Sequence, residues 1–120
     1  MRKRETISGW YRKRLKNFEV APVGPGVQWN RWLMGVETSG PKEKTRLLKE
    51  LNAAGCESRA LWAPVPRQRP YLNSLRSPIP NAERAYDTVI NIPSSTSLTE
   101  EQVDRVARIL KPAEIRRLLL

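Results

Sequence analysis

Between Cys56 and Tyr71 the chain reads CESRALWAPVPRQRPY, which strings Arg59, Trp62, Arg67 and Tyr71 along a short apolar segment and the proline-rich stretch that follows it. A guanidinium meets a phosphate or carboxylate through two parallel hydrogen bonds, a geometry that a lysine ammonium lacks. An indole or a phenol offers a flat face to a ring. Together these side chains have the chemistry of a site for an anionic ligand that also carries a ring. Each has a plainer reading as well. Trp62 can equally be a core side chain, Arg59 can pair with Glu57 or Asp87, and Arg67 and Arg69 can be solvated loop charges. Upstream, Trp29 and Trp32 read as core residues, with Asn30 between them as a polar candidate. Cys56 reads as a small buried apolar residue just past a helix end, not as a nucleophile.

What the chain lacks narrows the chemistry further. It has no histidine, which excludes histidine triads, histidine general bases and Cys/His zinc sites together. A single cysteine forms no internal disulfide and fits a reducing compartment. No apolar run approaches the ~20 residues that span a bilayer, and MRKRETISGWYRKR has no apolar core of the signal-peptide kind, so the expectation is a cytoplasmic chain without a membrane partner. The formal charge of +10 raises nucleic acid as a partner, since clustered lysine and arginine release counterions from phosphates. A basic nucleic-acid-binding module, with tryptophan and arginine for base stacking, is therefore the alternative function. Against it, seven of the basic residues precede Phe18 and suit a solvated helix face, and no zinc knuckle, RNP-like strand or helix-turn-helix spacing is visible. The stretch APVPRQRP also suits a polyproline ligand for an SH3-like domain, but it lies between segments that look packed rather than in a tail.

The elements that must position these residues follow from periodicity. In the segment from Arg2 to Phe18, Ile7, Trp10, Tyr11, Leu15 and Phe18 recur three or four apart and predict an amphipathic helix with a basic outer face. APVGPG then breaks helix and ladder alike. VQWNRWLMGVE, Val27 to Glu37, predicts a strand that begins before or near Trp32. In TSGPKEKTRLLKELNAAG, Pro41 suits a first turn, Leu47, Leu48, Leu51 and Ala54 form an inward stripe, and Gly55 ends the helix. ESRALWAP predicts a short strand stopped by Pro64 and Pro66. PNAERAYDT predicts a short helix with Ala82, Ala85 and Tyr86 inward, and VINIPSS a brief strand running into a turn. Thr99 and Gln102 form a capping box for a last helix, with Leu98 stapled onto Val103 and with Val103, Val106, Ala107 and Leu110 inward. Pro112 interrupts that helix, and Ile115, Leu118 and Leu119 suggest one further helical stretch.

At 120 residues this is one domain, 1–120, of α/β class: an α+β sandwich with a small antiparallel or mixed sheet and helices on one face. Such a layer leaves the other sheet face and the loop at Trp62 uncovered.

The basic start, the helix ending LLKELNAAG, then SRALWAPV and VINIPSSTSLTEEQVDRVARIL, occur in an order that resembles the C-terminal small domain of the DegT/DnrJ/EryC1/StrS family of pyridoxal-phosphate-dependent sugar aminotransferases. NIPSS is similar to the NLPSS of the legionaminic and perosamine-type branch. The resemblance covers roughly Lys3 to Leu110. It implies the small domain of fold-type I transferases and a reaction that moves an amino group from an amino acid, typically glutamate, to a keto-deoxy nucleotide sugar. It implies pyridoxal phosphate in the intact enzyme, held on a lysine of a large domain, and none for this chain alone. It implies as partners the nucleotide sugar, that large domain and, in the intact enzyme, a second subunit of a homodimer. By the same resemblance Arg59, Trp62, Arg67 and Tyr71 face the nucleotide sugar, and Asn30 lies near the cofactor entrance. The chain departs from the family at Pro66, where a histidine often stands. It has no lysine in a matching context, so the expectation is an isolated domain that does not transaminate alone.

Overall fold

The computed structural model describes residues 2–120. Its elements are α1 (Arg2–Arg14), β1 (Met34–Thr38), α2 (Pro41–Ala53), β2 (Arg59–Ala60), α3 (Pro80–Thr88), β3 (Val89–Ile92), α4 (Glu100–Leu110) and β4 (Ile115–Leu119). Two 3-10 turns, Val65–Arg67 and Arg69–Tyr71, lie between β2 and α3. The four strands form one sheet in the order β2-β3-β1-β4, with every neighbouring pair antiparallel. Of the two sheet types expected, the antiparallel one is found.

Alternation along the strands separates the two faces. Met34 lies opposite Ile92, and Val36 opposite both Ile90 and Leu118. These side chains form one buried cluster with Ile7, Tyr11 and Leu15 from α1 and the turn after it, Leu47 and Leu51 of α2, and Val103, Val106 and Leu110 of α4. Burying a large aliphatic side chain stabilises by roughly 1.5–3 kcal/mol, so this face supplies most of the cohesion. The other face carries Gly35, Glu37, Asn91 and Arg117 by the same alternation.

The helix signals hold. Thr99 accepts from the Gln102 amide while Gln102 Oε1 accepts from the Thr99 amide, closing the capping box of α4. Pro41 opens α2, and Gly55, in the left-handed region at φ 72°, follows its end. At α1 the expected helix is four residues too long, because it ends at Arg14 rather than Phe18. Leu15 and Phe18 still reach the core from the turn that follows, where Phe18 N bonds to Leu15 O. That turn frees Glu19 and Ala21 to pair with Leu118 of β4.

Three further expectations are corrected. The first strand begins at Met34, leaving Val27 to Leu33 in a loop; Arg31 adopts φ 50°, which breaks extended backbone, and the Trp32 amide is taken by Asn30 Oδ1. The expected final helical stretch is β4. Its apolar spacing fits either state over so few residues, and the open edge of β1 decides between them by offering a ladder of hydrogen bonds. In α3, Ala85 and Tyr86 are half-buried as expected, but Ala82 is exposed, and Thr88 is the residue that is buried. No helix among the described residues is long and apolar enough to cross a membrane.

Candidate functional site

β2, the end of β3, the first half of α4 and the loop before β1 enclose a cleft of about 560 Å³. Two indoles form its mouth. The rings of Trp32 and Trp62 lie 6.2 Å apart at 41° to each other, and the two residues are 58% and 65% exposed. Trp32 was expected in the core. It stands outside because the strand that would have buried it starts two residues later, and Ser94 holds its loop by donating to the Trp32 carbonyl at 2.7 Å. The expected strand ESRALWAP is shorter than its sequence suggests: β2 pairs only Arg59 and Ala60 with β3, so the ladder ends before Pro64 and Pro66, and Trp62 stands in the segment just past it.

Arg59 lies opposite Asn91 across the β2–β3 pair, and both line the cleft. Its guanidinium binds Glu57, the local carboxylate anticipated for it, and both side chains are well exposed. Ser94, Ser95, Gln102 and Arg105 complete the polar lining. The site therefore combines two exposed aromatic faces, two guanidiniums, hydroxyls and amides. That set can hold an anion beside a ring and bind polar groups of the same ligand.

The other candidates lie elsewhere. Arg67 turns to α3, where it binds Asp87 at 2.9 Å and lies over the Tyr86 ring at 5.3 Å. Its hydrogen bond to Asp87 raises the guanidinium pKa further. Tyr71 is exposed on the second 3-10 turn and does not line the cleft. Asn30 is also outside the lining, occupied with the Trp32 amide. Trp29, expected in the core, is half-buried beneath the Arg31 guanidinium at 5.9 Å. Thus Arg59 and Trp62 come together, while Arg67, Tyr71 and Asn30 are placed apart from them. Sequence reasoning passed over Gln102 and Arg105. The usable signal was their three-residue spacing on the outer face of α4.

Pyridoxal phosphate does not fit the residues of this cleft. The cofactor needs a lysine amine for its covalent link, and no lysine lines the site. Lys44 is the one described lysine that is not exposed, yet it donates to the Tyr86 carbonyl and lies 4.6 Å from the Tyr86 ring centre. Desolvation lowers its pKa, but it is committed to the α2–α3 contact. Among the described residues no acidic or cysteine cluster is arranged to hold a metal ion.

The sequence pattern of the DegT/DnrJ/EryC1/StrS aminotransferase family matches residues 1–111. The GDP-perosamine synthase of Caulobacter vibrioides is 29% identical over 113 residues, covering 89% of this chain and 30% of the synthase. The aminotransferase TlmJ of Streptoalloteichus hindustanus superposes with a TM-score of 0.81 at 19% identity, over 92% of this chain and 31% of TlmJ. PseC of Helicobacter pylori, an aminotransferase of pseudaminic acid biosynthesis, superposes at 0.78 with 23% identity, over 95% of this chain and 33% of PseC. The putative sugar aminotransferase Spr1654 of Streptococcus pneumoniae, in its PLP form, superposes at 0.79 with 22% identity, over 92% of this chain and 30% of Spr1654. These solved structures share the fold, and the chain spans about a third of their length. With nearly its whole length matched by the family pattern, the chain belongs to the DegT/DnrJ/EryC1/StrS aminotransferase family.

Proposed function

We propose that residues 1–120 form the C-terminal small domain of a pyridoxal-phosphate-dependent aminotransferase that moves an amino group from an amino acid, glutamate, to a keto-deoxy nucleotide sugar in glycan biosynthesis. The carrying observation is the cleft in which Arg59 and Trp62 meet Trp32, in a chain whose family match runs almost end to end. No step at the cofactor is assigned to these residues, since the cleft has no lysine to hold it. Their work is binding. The indoles cover a ring and exclude water, the guanidiniums attract a diphosphate, and Ser94, Ser95 and Gln102 offer hydrogen bonds to hydroxyls. The cofactor-binding domain and a second subunit are the partners in this reading, and the cytoplasm is its compartment. The similarity to GDP-perosamine synthase makes a guanosine-diphosphate sugar the first substrate to try.

The test is the native polypeptide that carries this sequence. Immunoblotting and mass analysis should find it either about three times the length of this chain, as its 30% share of the synthase suggests, or bound to a pyridoxal-phosphate-carrying partner. A free chain of 13.8 kDa with no such partner would overturn the reading.

A further inference from the structure

Residues 22–33 run from Ala21, whose amide is held by the Leu118 carbonyl, to Met34 at the start of β1, and none of them belongs to the buried core cluster. Val23, Val27 and Trp32 are exposed along the segment. Among the described residues two polar contacts tie it to the rest of the chain: Arg31 pairs with Glu5 of α1, and the Trp32 carbonyl accepts from Ser94. Its other hydrogen bonds are internal, from Val27 N to Gly24 O, from Arg31 Nη1 to Trp29 O and from Trp32 N to Asn30 Oδ1. A stretch with few buried apolar contacts and few bonds to its surroundings opens for much less than the free energy of global unfolding.

The tether to α1 holds Arg31 in an unfavourable state. Its φ of 50° is a left-handed value that disfavours a residue with a side chain, and its Nε is buried with no hydrogen-bond partner among the described residues. The pair with Glu5, and the guanidinium's seat over the Trp29 ring at 5.9 Å, offset these costs. Neither Glu5 nor Arg31 lines the cleft, but Trp32, the residue after Arg31, does, and it stands 6.2 Å from Trp62. A contact on α1 therefore sets where one wall of the cleft mouth stands.

We infer that residues 22–33 form a flap over the mouth of the cleft and that the Glu5–Arg31 pair is its latch. With the latch closed, Trp32 stands beside Trp62. With it released, Arg31 leaves the left-handed region, the segment swings between its fixed ends at Ala21 and Met34, and Trp32 moves off the mouth. The flap governs passage into the cleft whatever the cleft binds, so it does not depend on the aminotransferase reading.

Cys56 supplies the readout, because it is the only cysteine, lines the cleft and is 6% exposed. In the full chain its alkylation by iodoacetamide should quicken about fivefold in Glu5→Gln, the effect of losing a partly exposed ion pair. Nuclear Overhauser contacts between the Trp32 and Trp62 rings should weaken in the same variant. Arg31→Met loses the latch and keeps the strained backbone, so it should alkylate faster than Arg31→Asn, since asparagine tolerates the left-handed region. Glu101→Gln removes an exposed carboxylate outside the cleft and should stay within about twofold of the parent. In every variant the rate should stay nearly flat in low urea, because flap opening exposes little surface. Equal Cys56 rates in Glu5→Gln and the parent, rates that climb with urea along the slope of global unfolding, or unchanged Trp32–Trp62 contacts in a variant that alkylates faster would each overturn the flap. Any of these results leaves the proposed function standing, since that reading rests on the family match and the size of the native polypeptide.

Discussion

Glu37 of β1 and Arg84 of α3 meet on the sheet face away from the helical core, with Glu37 Oε1 accepting from Arg84 Nη1 at 3.0 Å. Its second oxygen accepts from Arg117 of β4, so one buried carboxylate ties a helix and the edge strand to the centre of the sheet. Glu37→Gln removes the charge and leaves two guanidiniums that still reach water, at 50% and 37% side-chain exposure. The cost should therefore fall below that of breaking a fully buried pair, at about 1–2 kcal/mol, read as a lower urea midpoint with unchanged slope. An unchanged midpoint would show that the carboxylate does not hold these elements together.

Tyr11 sets the alkaline limit. It is fully buried, and its hydroxyl donates to the Pro93 carbonyl at 2.9 Å. Burial first, and the nearby Cys56 second, push its pKa well above the ordinary tyrosine range. The unfolded chain ionises this phenol near pH ~10 while the folded chain does not, so the folded state binds more protons. The contribution is complete below that pH and is lost as the pH rises toward the folded pKa. Urea midpoints should fall as the pH rises above about 10, and Tyr11→Phe should fall less steeply there while losing about 1 kcal/mol at neutral pH through the orphaned Pro93 carbonyl. Parallel alkaline slopes in the two proteins would refute this.

The acid limit has a different origin. Asp104 of α4 is bound by Arg14 of α1, and that hydrogen bond holds its carboxyl below the usual aspartate range. A depressed carboxylate stabilises the fold above its unfolded pKa, near ~4, and loses that contribution as the pH falls through the lower folded value. Thermal unfolding should therefore show a shallower decline below about pH 4 in Asp104→Asn than in the parent. Glu43, lowered by Arg46, leaves a residual slope in the variant. If acid removes equal stability from both proteins, the α1–α4 ion pair is not the source.

Gly35 has room for no side chain. It pairs with Asn91 on one side and Leu119 on the other, and a side-chain carbon there would stand 2.8 Å from the Ile90 carbonyl oxygen. Backbone cannot yield as a flexible side chain does, so Gly35→Ala should cost about 1–3 kcal/mol in thermal unfolding. A variant as stable as the parent would mean that the central strands shift apart freely.

The elements legible in the sequence were those with punctuation of their own. Thr99 and Gln102 marked the start of α4, and Pro41 and Gly55 bracketed α2, because capping and left-handed turns are local chemistry. What escaped was decided by distant partners. Trp32 has strand-forming neighbours, yet Arg31 in the left-handed region and the Ser94 hydroxyl hold it outside. Arg59 and Trp62 were readable as a pair because they sit three residues apart where a short strand gives way to a proline-rich segment beside the cleft. Arg67 has the same composition but is claimed by Asp87 and Tyr86 on a helix some way along the chain. Arg105 carried only a helical position, which says nothing of whether a carboxylate waits opposite.

β4 lies beyond the 1–111 span of the family match, and the apolar spacing of its own residues suggested a helix instead. Its place is fixed by contacts at both edges. Leu118 pairs with Val36 of β1 on one side, and on the other its amide bonds to Glu19 O at 2.7 Å and its carbonyl to the Ala21 amide at 2.8 Å. Its side chain is fully buried in the cluster shared by the three long helices. Leu118→Ala should therefore cost about 2–5 kcal/mol, whereas Arg116→Ala, an exposed neighbour that bonds only the Ser39 carbonyl, should cost less than about 1 kcal/mol. Hydrogen exchange separates strand from helix in the same samples. In Leu118→Ala the amides that β1 donates to β4 should lose protection together with that of Ala21, while the capped first turn of α4 keeps its own. Loss confined to the end of α4 would mean that residues 115–119 continue the helix, as the apolar spacing alone suggests.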